Sequence, residues 1–170
     1  VFDAACTLLL ANPMYTALMG EFHGNDRNAL WRNFLGAGTR VRHTPEGLLA
    51  LQTAQTAQLR ATASKYPADH TVRRLVAELR AGSELFTTLW DSGAMTRPDG
   101  ARKTVDHPQV GAITLDCDVL TIDGADLSIM IYSAEPGTED AERLALLAVV
   151  GTQSLIASSA TRCSTTIPPS

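Results

Sequence analysis

No uninterrupted apolar run in this chain approaches the ~20 residues that a helix needs to span a bilayer, so no segment is expected to cross a membrane. The nearest approach, Leu144 to Leu155, is broken by Gly151, Thr152, Gln153 and Ser154. Cysteine is scarce: Cys6, Cys117 and Cys163 make an odd number with no short spacing, which argues against a disulfide framework and weighs towards a reducing, cytoplasmic compartment. The histidines, His23, His43, His70 and His107, stand too far apart to form a metal-binding pair, and no metal or cofactor is expected. There is no phosphate loop ending in Gly-Lys-Ser/Thr and no Gly-x-Ser-x-Gly elbow. Gly36-Ala37-Gly38-Thr39-Arg40-Val41 opens like a dinucleotide fingerprint but places Val where the third small residue belongs, and it follows a helical pattern instead of a strand.

What is present suits one globular domain. A chain of 170 residues with 45% hydrophobic and 19% charged residues can bury a full core, and residues 1–157 are expected to form it. Residues 158–170 are Ser/Thr/Pro-rich and are expected to be a disordered tail. The opening Val1-Phe2-Asp3 lacks the basic flank of a signal peptide, and the chain reads as a piece of something longer. The net charge of −4 conceals an asymmetry, with 12 basic and 6 acidic residues from Arg27 to Lys103 but 2 basic and 9 acidic from Thr104 onward. Two solvated faces would explain this, as would a helical layer favouring an anionic ligand group or DNA. No basic run is dense enough to make the domain a nucleic-acid binder by itself.

Alternation of Phe2, Ala4, Cys6, Leu8 and Leu10 predicts an opening strand. Asn12-Pro13 starts a short helix reaching about Met19. Asn25 or Asp26 is expected to cap a helix carrying Leu30, Trp31, Phe34 and Leu35, ended by Gly36 and Gly38. Thr44-Pro45 opens a long helix with a stripe of Leu48, Leu51, Ala54 and Leu59, broken at Tyr66-Pro67. Val72, Leu75, Val76 and Leu79 give an amphipathic helix, and Ser83 caps another with Phe86, Leu89 and Trp90 on one side. The period then changes. Ile113, Leu115, Cys117 and Val119 alternate with polar residues, and Asp123-Gly124-Ala125-Asp126 turns the chain into Leu127, Ile129 and Ile131, a hairpin. A last helix, acidic in its first turn, carries Leu144, Leu147, Ala148 and Leu155. Leu146, Val149 and Val150 make it apolar nearly all round, so it is expected to contact a partner subunit in a homodimer. The fold class is α+β, an antiparallel sheet with several helices packed on one face.

Asp116 and Asp118 share a strand face but occupy its wet side. The remaining constellation is one for binding. Trp31, Phe34, Phe86, Leu89 and Trp90 lie on inward helical stripes, and Leu115, Ile129 and Ile131 are expected to face them. Either they form a packed core or they line a partly open helix–sheet cavity for an apolar ligand. Arg27, read as part of the first turn of the Trp31 helix, would oppose the helix dipole by ~0.3–1 kcal/mol, a cost that an anionic partner would offset.

Arg27-Asn28-Ala29-Leu30-Trp31-Arg32-Asn33-Phe34, then Leu59-Arg60 with Tyr66-Pro67-Ala68-Asp69, Leu75 to Leu79, and Ser83-Glu84-Leu85-Phe86 through Trp90 carry a resemblance that continues into Lys103, His107-Pro108-Gln109-Val110-Gly111, Leu115-Asp116 and Ala134-Glu135-Pro136-Gly137. The ordered set resembles the C-terminal ligand-binding domain of MmyB-like transcription regulators. The chain departs from that pattern at Glu46-Gly47-Leu48, where a Trp often precedes the long helix, and at Trp31-Arg32, where Arg more often precedes an aromatic. The resemblance implies a PAS-like fold, a bound hydrophobic or fatty-acid-like small molecule, and control of a helix-turn-helix that lies upstream in such regulators and is absent from this sequence. DNA would then be met only through that missing unit. It also adds Asn28 and Leu59 to the ligand-binding candidates, and names Arg27 independently of the dipole.

The expected function is therefore ligand sensing without catalysis. A PAS-like dimerisation module with a filled core is the alternative, and a small hydrolase or transferase using His107 or Cys117 is the rival from another class. A nucleophile–base pair would be needed to support the last.

Overall fold

A computed structural model describes residues 1–95, 102–122 and 124–149. Short helices come first: α1 (Pro13–Met19), a 3-10 turn (Gly24–Arg27) and α2 (Ala29–Phe34). The two-residue strand β1 (Val41–Arg42) precedes α3 (Pro45–Lys65), α4 (His70–Gly82) and α5 (Glu84–Ser92). Then come β2 (Arg102–His107), β3 (Gly111–Ile122) and β4 (Leu127–Ser133). Residues 139–149 are helical and are called α6. The caps explain most helix starts. The side chains of Asn12, Thr44, Asp69 and Ser83 accept the orphan N–H groups of α1, α3, α4 and α5, and Pro13 and Pro45 occupy first-turn positions where no donor is lost.

The sheet is antiparallel throughout, in the order β1-β2-β3-β4, and the fold is α+β. Register divides its residues into two faces. Val105 lies opposite Ile113, and these two with Leu115 and Cys117 form the buried face. Leu18, Met19 and Leu147 complete this core, so α1 and α6 pack on the sheet. A second core, of Ala5, Leu30, Leu59, Val72, Leu79 and Phe86, is built almost wholly from α2–α5. There α4 approaches so closely that a Cβ on Gly82 would stand 2.6 Å from Leu35 Cδ2.

Three expectations change. The opening residues are not a strand. The Asp3 carboxylate accepts the N–H groups of Ala5 at 2.9 Å and Thr7 at 2.7 Å, and Cys6 takes φ 62°, which folds the segment back so that Phe2 bridges both Leu8 and Ser128. The long helix α3 buries Gln52, Thr56, Leu59 and Thr62, so of the expected stripe Leu48, Leu51, Ala54 and Leu59 only the last is fully buried. Its polar face is satisfied locally: Gln52 donates to the Asn33 carbonyl at 2.7 Å, and Gln55 accepts from Asn33 at 2.9 Å. Finally, Asp118 pairs with Ile131 and Leu120 with Ile129, which puts both isoleucines on the sheet face opposite Leu115. Val150, Leu155 and the expected tail at 158–170 lie outside the described residues.

Candidate functional site

Arg27 and Asn28 fasten the N-terminal segment to the domain. Arg27 Nε and Nη2 donate to the Leu8 carbonyl at 3.0 and 2.7 Å, and Nη2 also reaches the Leu9 carbonyl at 3.1 Å. The Arg27 carbonyl in turn accepts from Leu8 N at 2.8 Å. Buried Asn28 donates to the Ala5 carbonyl at 2.8 Å and the Thr7 hydroxyl at 3.0 Å, while its Oδ1 accepts Trp31 N at 3.0 Å. Asn28, not Asn25 or Asp26, is thus the cap of α2. Arg27 precedes that helix instead of lying in its first turn, so the dipole argument does not hold. Its charge serves two carbonyl oxygens. Arg40 and Arg60 work alike, Arg40 on the carbonyls of Ala17 and Leu18 and Arg60 on those of Leu89, Trp90 and Ala94. Part of the basic surplus between Arg27 and Lys103 is therefore backbone carbonyl capping.

Beside this clamp lies an open cleft of about 360 Å³. Leu8 and Ala11 of the N-terminal segment, Tyr15 and Thr16 of α1, and Gly20, Glu21, Phe22 and His23 of the following loop line it with Arg27, and Glu21 lies 3.1 Å from the His23 ring. The volume falls in the range of small-molecule sites. Against Phe22 packs Arg32, 6% exposed, its guanidinium 4.0 Å from the Phe22 ring centroid. Its Nη1 donates to the Asp26 carbonyl, but its buried Nε has no hydrogen-bond partner among the described residues. Tyr15, the Asp26 carboxylate and Tyr132 stand close enough to act on its charge, the two tyrosine rings being 6.2 Å apart. Burial lowers the Arg32 pKa and raises those of Tyr15 and Tyr132, because each charged form loses water there.

The residues singled out from sequence divide into separate places. Phe34, Phe86 and Trp90 form a filled stack: Phe86 is fully buried, edge-on to Phe34 at 5.2 Å and tilted against Trp90 at 5.6 Å. Fully buried Leu59 lies in the same core, and Trp31 is half-buried. Leu115 belongs to the sheet core with α1 and α6. Ile129 and Ile131 lie on the open face, Ile131 being 42% exposed beside Leu120 at 52%. Among the described residues, the aromatics and these three sheet residues are therefore not brought to opposite sides of one space. Of the sequence candidates, Arg27 borders the observed cleft. Periodicity does not mark Tyr15 or Arg32, because α1 and α2 span 7 and 6 residues, and Phe22 lies in the loop between them, where no period applies.

Other chemistry finds little support in the geometry. Buried His107 accepts the N–H groups of Gln109 and Val110 at Nδ1, at 3.2 and 3.4 Å, so Nε2 carries the proton donated to the Ala17 carbonyl at 3.0 Å. The ring is engaged in holding the β2–β3 turn and the end of α1. Asp116 receives Arg102 at 3.2 Å on the wet side of its strand. Burial, with Asp3 nearby, pushes the Cys6 thiol up to about 12. No group of three or more His, Cys, Asp or Glu suited to a metal ion occurs among the described residues, and no helix there is long and apolar enough to cross a membrane.

Against known families, residues 1–147 match the sequence model described as "MmyB-like transcription regulator ligand binding domain". Neither the curated proteins nor the solved structures yielded a match.

Proposed function

The chain belongs to the MmyB-like transcription regulator ligand-binding domains, and from that premise we propose that it is a non-enzymatic sensor whose ligand, a hydrophobic or fatty-acid-like small molecule, occupies the cleft beside the Arg27–Asn28 clamp. One observation carries this reading: the N-terminal segment held by Arg27 and Asn28 is also a wall of the cleft, through Leu8 and Ala11. A molecule there contacts Leu8, whose carbonyl and N–H both engage Arg27. Occupancy would therefore favour one packing of the segment over another, and that difference in affinity between two states is what any ligand control requires. An upstream helix-turn-helix, supplied by the whole regulator in the cytoplasm, would receive the change through this segment and provide the contact with DNA.

Leu8, Ala11 and Phe22 give the mixed lining an apolar part for a hydrocarbon, at about 0.8 kcal/mol per buried methylene, beside the polar Thr16, Glu21, His23 and Arg27. Mass spectrometry of small molecules extracted from the natively purified protein tests the reading. A stoichiometric hydrophobic or acidic amphiphile is expected, and protein that is empty and binds none of a panel of such molecules would refute it.

A second reading, a PAS-like dimerisation module without ligand, draws on the filled Phe34–Phe86–Trp90 stack and on the exposed side chains of Leu120, Ile122 and Ile131. Self-association and ligand binding are compatible. In α6, Leu146 at 54% and Val149 at 59% exposure supply a further apolar surface for a homodimer.

A further inference from the structure

β4 stands last in the sheet order, so one of its sides has no named strand beside it. Its sequence, Leu127-Ser128-Ile129-Met130-Ile131-Tyr132-Ser133, holds no charge and no proline, the residues that ordinarily keep an edge from recruiting another chain. The opposite edge, β1, is two residues long and carries Arg42. Around β4, the side chains of Val119, Leu120, Ile122 and Ile131 are exposed, and the alternation of Val119 with Leu120 puts them on both faces of the hairpin. An apolar edge strand of this kind is an aggregation site unless something covers it.

At one point it is covered. Phe2 and Ser128 form an antiparallel bridge and exchange both backbone hydrogen bonds, Phe2 N to the Ser128 carbonyl at 2.8 Å and Ser128 N to the Phe2 carbonyl at 2.9 Å. Backbone groups alternate along a strand, so Met130 and Tyr132 aim their N–H and C=O the same way as Ser128, while Ile129 and Ile131 turn theirs to β3. Among the described residues, no backbone group outside the sheet meets those of Met130 or Tyr132. Val1 shows the same alternation on the far side, its carbonyl accepting Leu9 N at 2.9 Å and Leu10 N at 3.3 Å. Val1 and Phe2 are thus a short strand between β4 and the segment from Leu8 to Leu10. Antiparallel pairing fixes what comes next to it. With Phe2 opposite Ser128, a residue before Val1 falls opposite Met130, the second before it opposite Ile131, and the third opposite Tyr132. The exposed side chains of Leu9 and Leu10 flank the same path.

We propose that the outer edge of β4 is a docking site for one extended strand, and that its occupant is the connector leading into Val1 from the upstream DNA-binding unit. This rests on the reading of an upstream helix-turn-helix and gives its control a physical route. The connector exchanges backbone hydrogen bonds with Met130 and Tyr132 and adds a strand outside β4, with Leu9 and Leu10 along its other side. Main-chain bonds supply most of the affinity in such strand addition, so the demand on the connector's sequence is slight. Leu8 lines the cleft and also bridges Phe2, so a shift of that wall reaches the connector through one continuous ladder.

The test compares the whole regulator with the 170-residue chain by NMR. Amide exchange at Met130 and Tyr132 is expected to be about tenfold or more slower in the whole regulator, with Ile113 unchanged. An Hα–Hα nuclear Overhauser effect should join Ile131 to the second residue before Val1, because that pair lies between hydrogen-bonded ones and brings its Cα atoms to about 4.5 Å. Met130→Pro removes an outward N–H and leaves the bonds between β3 and β4 in place. It should leave the 170-residue chain folded and, in the whole regulator, return Tyr132 exchange towards the rate of the shorter chain. The wild-type readouts do not depend on that variant folding. Exchange at Met130 and Tyr132 as fast in the whole regulator as in the 170-residue chain, with no effect at Ile131, would overturn the proposal and leave the upstream unit standing. Protection of these amides that rises with the concentration of the 170-residue chain would give the edge to a second copy and overturn it too. A whole protein with no DNA-binding unit ahead of Val1 would refute the reading beneath the proposal, and the proposal with it.

Discussion

Arg27 Nη2 lies 2.7 Å from the carbonyl oxygen of Leu8, and Leu8 N lies 2.8 Å from the carbonyl oxygen of Arg27, so the two residues hold one another by side chain and backbone together. The pairing makes a charged side chain a determinant of chain path. It also ties a cleft wall to the 3-10 turn that precedes α2.

Arg27→Ala should therefore loosen the N-terminal segment without collapsing the sheet. A loss of about 1–3 kcal/mol is expected from the charge-assisted hydrogen bonds. Denaturant unfolding measures the total, and amide exchange should quicken at Leu8 while Val105 and Ile113 remain protected. Unchanged exchange at Leu8 would contradict the clamp.

Asn28→Ala should cost at least as much. It removes the cap on Trp31 N, worth about 1 kcal/mol, and leaves the buried Ala5 carbonyl without its amide donor, a further ~1–3 kcal/mol. Asn28→Asp keeps an acceptor for the cap but loses the donor, so an intermediate loss in thermal or denaturant unfolding would separate the two contributions.

Acid should destabilise the domain through two imidazoles. Burial, with the charge of Arg40, lowers the His107 pKa despite the Ala17 hydrogen bond, and burial with Lys103 lowers that of His43. In each case the unfolded chain binds the proton more readily. Stability is thus complete above the unfolded value near ~6.5 and declines as pH falls below it towards the folded values. Unfolding curves between pH 7.5 and 5 should show the decline, and His107→Gln should flatten it while leaving the share due to His43.

Self-association should be sensitive to α6. Val149→Asp is expected to shift a dimer towards monomer with the fold retained, as read by sedimentation and circular dichroism. A wild-type domain that is monomeric at high concentration would contradict it, and a dimer broken by Leu120→Asp but not by Val149→Asp would place the contact on the open sheet face instead.

Much of the fold could be read from local chemistry. Asn12, Thr44 and Ser83 announce their helices because a cap acts within one turn, and the alternation from Ile113 to Val119 gives the buried strand face directly. Failures came where distant residues decide. The alternation of Phe2, Ala4, Cys6 and Leu8 suggested a strand, but Asp3 bends the chain and the partners of Leu8 and Ala5 lie at Arg27 and Asn28. Ile129 and Ile131 have the period of a strand but not its facing, which depends on a register set across the hairpin. Arg32 was legible only as a residue type. Its neighbours Phe22, Tyr15 and Tyr132 come from three separate segments of the chain.

The central claim is that a molecule in the cleft acts on the N-terminal segment that walls it. Amide hydrogen exchange of the domain with and without saturating octanoate tests this most directly. The account predicts altered protection at Thr7, Leu8 and Ala29, whose N–H groups bond to Asp3, Arg27 and Cys6, with the β2–β3 ladder unchanged. Bound octanoate that leaves those three amides exchanging as in the free protein would contradict it.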